Sequence, residues 1–193
     1  MRLVQLLSPS KERKIALVKG EYLYISQIFS NIYDLVFNAI NSKKPVFELL
    51  NASLSTEKLN YQNVWEGKTD WQWLPCFDHP RDVNSCMVSG TGLTHKASAE
   101  NRNKMNTAAD TGNQTDSMKM YFMGEEKGKP TKGQIGVQPE WFYKGNGTVL
   151  KGHLDELDIP TYALDGGEEP EIAGIYVINE NGVPVRVGFA TGN

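Results

Sequence analysis

Two glutamates two positions apart, Glu169 and Glu171, stand at the head of an apolar, β-rich run in the stretch ALDGGEEPEIAGIYVINENG, residues 163–182. Along an extended strand, residues i and i+2 share a face about 6.6 Å apart. The two carboxylates therefore project together, with Pro170 turned away and the small Ala173 leaving room beside them. Converging carboxylates need a cation, and hard divalent ions such as Mg2+ or Mn2+ prefer these oxygen donors while keeping positions open for water or substrate. Asp165 and Gly166-Gly167 allow the backbone to bend into such a site. A solvated acidic turn is the other reading of the same residues. Two carboxylates are too few for an octahedral ion, so a third acid is expected. Asp155, Glu156, Asp158 and Asp165 lie upstream in loop-like context, none on an obvious facing strand. If the third ligand lies beyond Asn193, the open site and the abrupt final strand, VPVRVGFATGN, share one cause.

The elements that must position these acids are legible as hydrophobic periods. MRLVQLLS reads as a strand, and KIALVKGEYLYI as a hairpin turning at Lys19-Gly20. In SQIFSNIYDLVFNAINS, Ile28, Phe29, Ile32, Leu35, Val36, Ala39 and Ile40 recur at helical spacing, with Ser26 the expected N-cap and Pro45 beyond the end. PVFELLNA reads as a second short helix. From YQNVWEGKTDWQWLPCFDHPRD the texture changes to aromatics among polar residues and proline, read as a linker and a strand with a turn at Asp78-His79-Pro80. CMVSGTGLTHKASAENRNKMN reads as strand, glycine-rich turn and helix. Residues 103–133 are polar and rich in Gly and Lys, read as a mobile loop or lid. Another aromatic strand follows in GVQPEWFYKGNGTVL, and a closing hairpin turns at Asn181-Gly182. The expected class is α+β: an N-terminal α+β domain with linker over residues 1–75, then a mainly β domain over 76–193.

Composition bounds the function. The chain has 193 residues, of which 39% are hydrophobic, enough for one core or a core with a small satellite. A formal net charge of −3 leaves no basic surplus, so nucleic acid and anionic lipid are not the expected partners. No stretch approaches the 18 or so apolar residues of a membrane span. The opening MRLVQLLSPSKERK lacks the pattern of a signal peptide, and a cytoplasmic location is expected. Cys76 and Cys86 are not in CxxC spacing and are expected to pack as small hydrophobes; His79 and His153 are expected at the surface.

Taken together, the motifs resemble those of the fumarylacetoacetate hydrolase (FAH) superfamily. DGGEEPEIAGIYVI resembles its EPEL-type metal segment, GTGLTHKASAE its GLNYxxHxxE segment, and PEWFYKGNGTVL its FFxKPxxAL segment. All three stand in the family's order, and GFATGN resembles the strand leading to the family's third metal-binding aspartate. TDSMKM, GVQPEWFYKG and LDGGEEPEIAGIY point to the branch linked to sugar-acid catabolism, of the 2-keto-3-deoxy-arabinonate dehydratase type, whose members are longer than this chain.

The resemblance implies that residues 76–193 are a partial FAH-like catalytic domain. It makes Glu169 and Glu171 the metal ligands for Mg2+ or Mn2+, and Lys144 an active-site lysine. Glu100 matches the glutamate of a His–Glu acid/base dyad. The dyad histidine's place is taken by Ser98, which would contact substrate or only cap or pack, and the tyrosine's place by His95. Either His95 supplies the missing base from a neighbouring position, or another group carries the proton. The implied activity is that of a lyase on a 2-oxo acid: dehydration of a 2-keto-3-deoxy sugar acid through a metal-stabilised enolate. Hydrolytic C–C cleavage of an acylpyruvate is the alternative chemistry. A homodimer is implied for the full-length protein. Two readings from other classes stand beside the enzyme: a non-catalytic module that binds metal or sugar acid, and an inactive truncated fragment.

Overall fold

The computed structural model describes residues 1–92, 100, 101, 104, 116–138, 140–164, 166 and 170–193. It contains both helices and antiparallel strands, an α+β architecture. Strands β1 (Leu3–Leu7), β2 (Arg13–Lys19), β3 (Tyr22–Ser26), β4 (Leu54–Asn60) and β5 (Gln72–Trp73) form one antiparallel sheet in the order β4-β3-β2-β1-β5. Successive residues of β2 face opposite sides. Ile15 and Leu17 pack with Ile32, Leu35, Val36 and Leu50 from helices α1 (Ile32–Ser42) and α2 (Val46–Ala52). Ala16 joins Leu6, Leu23, Ile25, Val64 and Trp73 on the other side, where the short helix α3 (Tyr61–Trp65) and β5 contribute. The sheet is therefore buried on both faces, which is why its central strands read as continuous apolar runs.

Local corrections have identifiable causes. Strands β2 and β3 join through Gly20-Glu21 rather than Lys19-Gly20, since Lys19 pairs with Tyr22. Gly20 alone of the two loop residues has positive φ, +56°, the pattern of a type II′ turn. Helix α1 begins at Ile32, and its cap is Asn31, whose Oδ1 accepts the Asp34 N–H at 2.7 Å. Ser26 instead ends β3: its Oγ accepts from the N–H groups of Ile28 and Phe29 and bonds the Ser53 hydroxyl. Ile28 thus falls outside the helix and is 70% exposed. The chain after β4 was expected to be linker and strand; it first forms α3, capped by Asn60 Oδ1 accepting the Asn63 N–H at 2.9 Å.

Residues 75–78 are tied to the sheet by polar contacts. Buried Gln5 donates to the Pro75 carbonyl and to Asp78 Oδ1, and its own Oε1 accepts the Ile32 N–H. Arg13 grips Asp78 with both terminal nitrogens, at 3.0 and 2.6 Å. By packing, the chain falls into two compact units: Met1–Cys86 with Leu150–Asn193, and Met87–Val149. The boundary expected between residues 75 and 76 falls inside the first unit.

The rest of the first unit is a hairpin of β8 (Glu171–Ile178) and β9 (Pro184–Gly192). Val177 completes the core cluster of Ile15 and Leu35, with Val185 and Val187 packed against it. Its turn is wider than the two residues expected. Gly182 N–H bonds the Asn179 carbonyl, and Asn179 N–H bonds the Val183 carbonyl, leaving Glu180, Asn181 and Gly182 as the loop. Gly182 has φ +73°, the left-handed residue of a three-residue hairpin loop, and Asn179 Oδ1 accepts from Asn181 and Val183.

The second unit contains an antiparallel ribbon of β6 (Met87–Gly92) and β7 (Glu140–Asn146) and helix α4 (Asp116–Lys127). Helix α4 replaces part of the loop expected over 103–133. Asp116 in its first turn and Lys127 in its last suit the helix dipole, and Met118 is 1% exposed. Among the described residues no helix is long and apolar enough to cross a membrane.

Candidate functional site

Glu171 opens β8 directly opposite Gly192. Ala173, opposite Ala190, shares its face, and so do Ile175 and the buried Val177 further along. The acid therefore stands on the side of the hairpin that enters the core, at the end where the neighbours are too small to fill the space. Glu171 is exposed, and among the described residues its carboxylate has no hydrogen-bond or ion-pair partner. Glu169 and Asp165 lie outside the described residues.

Of the other acids considered for a third ligand, two are engaged locally. Asp155 Oδ2 accepts the Gly152 N–H at 2.7 Å, and Asp158 lies 3.4 Å from Lys151 Nζ. Among the described residues no three His, Cys, Asp or Glu side chains are grouped to hold a metal ion.

Lys144 belongs to the second unit, on β7. Tyr143 pairs with Ser89 and Gly145 with Val88, so Lys144 is the extra residue of a β-bulge. A bulge leaves such a residue without an opposite partner in the ladder. The Lys144 ammonium turns back over the Phe142 ring, 5.3 Å from its centroid, and the side chain is exposed. Gly145 takes φ +147°, and a Cβ there would meet Val149 Cγ1 at 2.6 Å. Glu100 is helical and exposed. His95 and Ser98 lie outside the described residues. Of the expected site residues, the first unit thus holds Glu171, and the second holds Glu100 and Lys144. A shallow surface depression lined by Pro9, Lys11, Thr69, Asp70 and Gln72 contains none of them.

Both histidines expected at the surface make specific contacts. His79 Nδ1 accepts the Asp82 N–H at 2.9 Å, and its ring meets Tyr33 edge-on at 4.6 Å. His153 is half-buried and stacks on Trp65, in a cluster with Tyr61 and Trp73. Gly152 is needed beside it, because a Cβ there would meet the Trp73 carbonyl oxygen at 2.5 Å. The signal in sequence was the recurrence of Tyr61, Trp65 and Trp73, which marks an aromatic seat without saying what fills it. Cys86 is half-buried, but Cys76 is exposed and does not pack as the small hydrophobe expected; partial desolvation, with the Asp78 carboxylate adding to it, pushes both thiols up. Both thus stay protonated near neutrality and are not activated nucleophiles.

No family model matches the chain, and no curated protein or solved structure matches it either.

Proposed function

We propose that the chain is part of a divalent-metal-dependent lyase of the FAH type, acting on a 2-oxo acid in the cytoplasm. Its favoured reaction is dehydration of a 2-keto-3-deoxy sugar acid. The observation that carries the reading is Glu171: an exposed carboxylate at the mouth of a strand pair, without a partner among the described residues, with Ala173 and Gly192 leaving space around it. A hard oxygen donor so placed fits Mg2+ or Mn2+. Glu171 and Glu169 would hold the ion, which supplies Lewis-acid polarisation of a chelating 2-oxo acid.

The chain's own residues would do the rest. Lys144 neutralises the substrate's carboxylate or donates to the oxyanion that develops on the 2-oxo oxygen. Glu100, or His95 in its stead, takes the proton from C3; the C4 hydroxyl leaves as water after receiving a proton from the same or a second acid. Residues 76–193 would belong to the catalytic domain, and the enzyme would act as a homodimer. Cleavage of an acylpyruvate C–C bond is the alternative chemistry on the same ligands.

Calorimetric titration with Mg2+ tests the metal assignment. Glu169→Ala and Glu171→Ala are each expected to abolish binding, and unchanged affinity in either would refute it. A non-catalytic binding module is the second reading, favoured by Ser98 where the family carries its dyad histidine. Solvent deuterium exchange at C3 of pyruvate separates the two: exchange marks an enzyme, and binding without exchange marks a module.

A further inference from the structure

We infer that Gly90 is the positioning residue for Lys144. Gly90 pairs with Phe142 across the β6–β7 ribbon. A Cβ built on Gly90 would lie 2.7 Å from Phe142 Cζ and 2.8 Å from Lys144 Cε. Both are under 3.0 Å, so with a side chain at 90 the ring tip and the end of the lysine would have to move. The tip of the Phe142 ring and the end of the lysine stem therefore reach the space over residue 90 because it has no side chain. Phe142 and Lys144, two apart on β7, both lie on the Gly90 side, and the ring near the ammonium, 5.3 Å away, holds it there. An amine already held in one place loses less freedom when it pairs with a substrate carboxylate. The glycine thus sets where the charge is presented, and any side chain at 90 lifts both the ring and the amine. The geometric part stands by itself; its consequence for substrate rests on the reading of Lys144 given above.

Reductive 13C-methylation of the intact chain, followed by NMR, tests the geometry. In the wild type the Lys144 methyl signal, assigned with Lys144→Arg, is expected upfield of the other lysines because of the Phe142 ring current. Gly90→Ala and Phe142→Leu should each return it to the position of a solvated lysine. A wild-type signal already at that position, or one unmoved in Phe142→Leu or in a folded Gly90→Ala variant, overturns the inference.

Pyruvate binding in the presence of Mg2+ tests the consequence. Gly90→Ala and Lys144→Ala should each weaken it about tenfold, the scale of one charge-assisted contact. The double variant should bind no more weakly than Lys144→Ala alone. Additive losses, or wild-type affinity in Gly90→Ala, overturn the positioning role. If the wild type binds no pyruvate, the reading of Lys144 as a substrate contact fails, and the methyl signal still decides the geometry.

Discussion

His153 lies flat on Trp65, with ring centroids 3.6 Å apart and planes 13° from parallel, while its Nε2 donates to the Trp65 carbonyl at 3.0 Å. A carbonyl oxygen only accepts, so the proton sits on Nε2. The contact fastens residues 152–155 onto α3 and the edge strand β5. His153→Ala is expected to cost about 1–2 kcal/mol, the sum of a ring contact and one hydrogen bond. His153→Phe, which keeps the ring and loses the bond, should cost about half as much. Thermal unfolding of the two variants measures this; wild-type midpoints in both would remove the contact from the account of stability.

Asp78 receives Arg13 at two points and Gln5 at a third, with side-chain exposures of 27% for Arg13 and 17% for Asp78. Asp78→Ala would leave a partly buried guanidinium whose Nε already has no partner among the described residues. A cost of about 2–3 kcal/mol is expected, below that of a fully buried pair because both groups still touch water. Urea unfolding would show it, and Asp78→Asn, which can still accept from Gln5, should lose less.

Leu35 is fully buried in the α1 face, whereas Ile28 is 70% exposed. Leu35→Ala is expected to cost about 2–5 kcal/mol, and Ile28→Ala no more than about 0.5 kcal/mol. Equal losses at the two positions would contradict a helix that starts at Ile32 and restore one that starts near Ser26.

The Arg81 guanidinium, bonded to both Asp34 oxygens at 2.9–3.0 Å, holds that carboxyl below the usual carboxylate range; partial burial opposes this, and the Asn31 amide assists. A carboxyl with a lower pKa folded than unfolded stabilises the fold fully above the unfolded value of about 4. That contribution is lost as pH falls through the folded value. Arg81→Gln should therefore lower the urea midpoint near pH 7, by an amount that shrinks with added salt, and the difference should close as the solution is acidified below about pH 4. A difference that persists at low pH would assign the effect to packing of Arg81 over Tyr33 instead.

Much of the first unit was legible because its signals are local. The apolar runs of β1 and β2, the glycine of the first hairpin and the three- and four-residue spacing of α1 each stand within a few residues of one another. What misled were signals with two local solutions. Ser26 and Asn31 are both good caps, and the pairing of Ser26 with Ser53, a contact far along the chain, decides between them. Helix α4 was hidden because glycine- and lysine-rich flanks gave its window a loop-like composition. Asn181-Gly182 marks a turn correctly, but Asn179 supplies the side-chain acceptor that widens it. Glu171 was legible as one of a pair sharing a face with Ala173, and the strand pairing adds that its opposite neighbour, Gly192, is also small. The bulge at Lys144 was not legible, since it is a mismatch between two strands and neither strand shows it alone. Gly90 matters for the same reason: its role depends on what lies across the ribbon.

Val177 sits in the same cluster as Ile15, Leu35 and Leu50. A chain emerging from the ribosome therefore presents a finished sheet and helices with one wall of their interior still missing. Synthesis of the stretch from Cys86 to Val177 takes roughly 5–20 s at ordinary elongation rates. For that interval the nascent N-terminal portion carries an open apolar notch, and a chaperone or a neighbouring nascent chain can reach it before its own hairpin arrives to seal it.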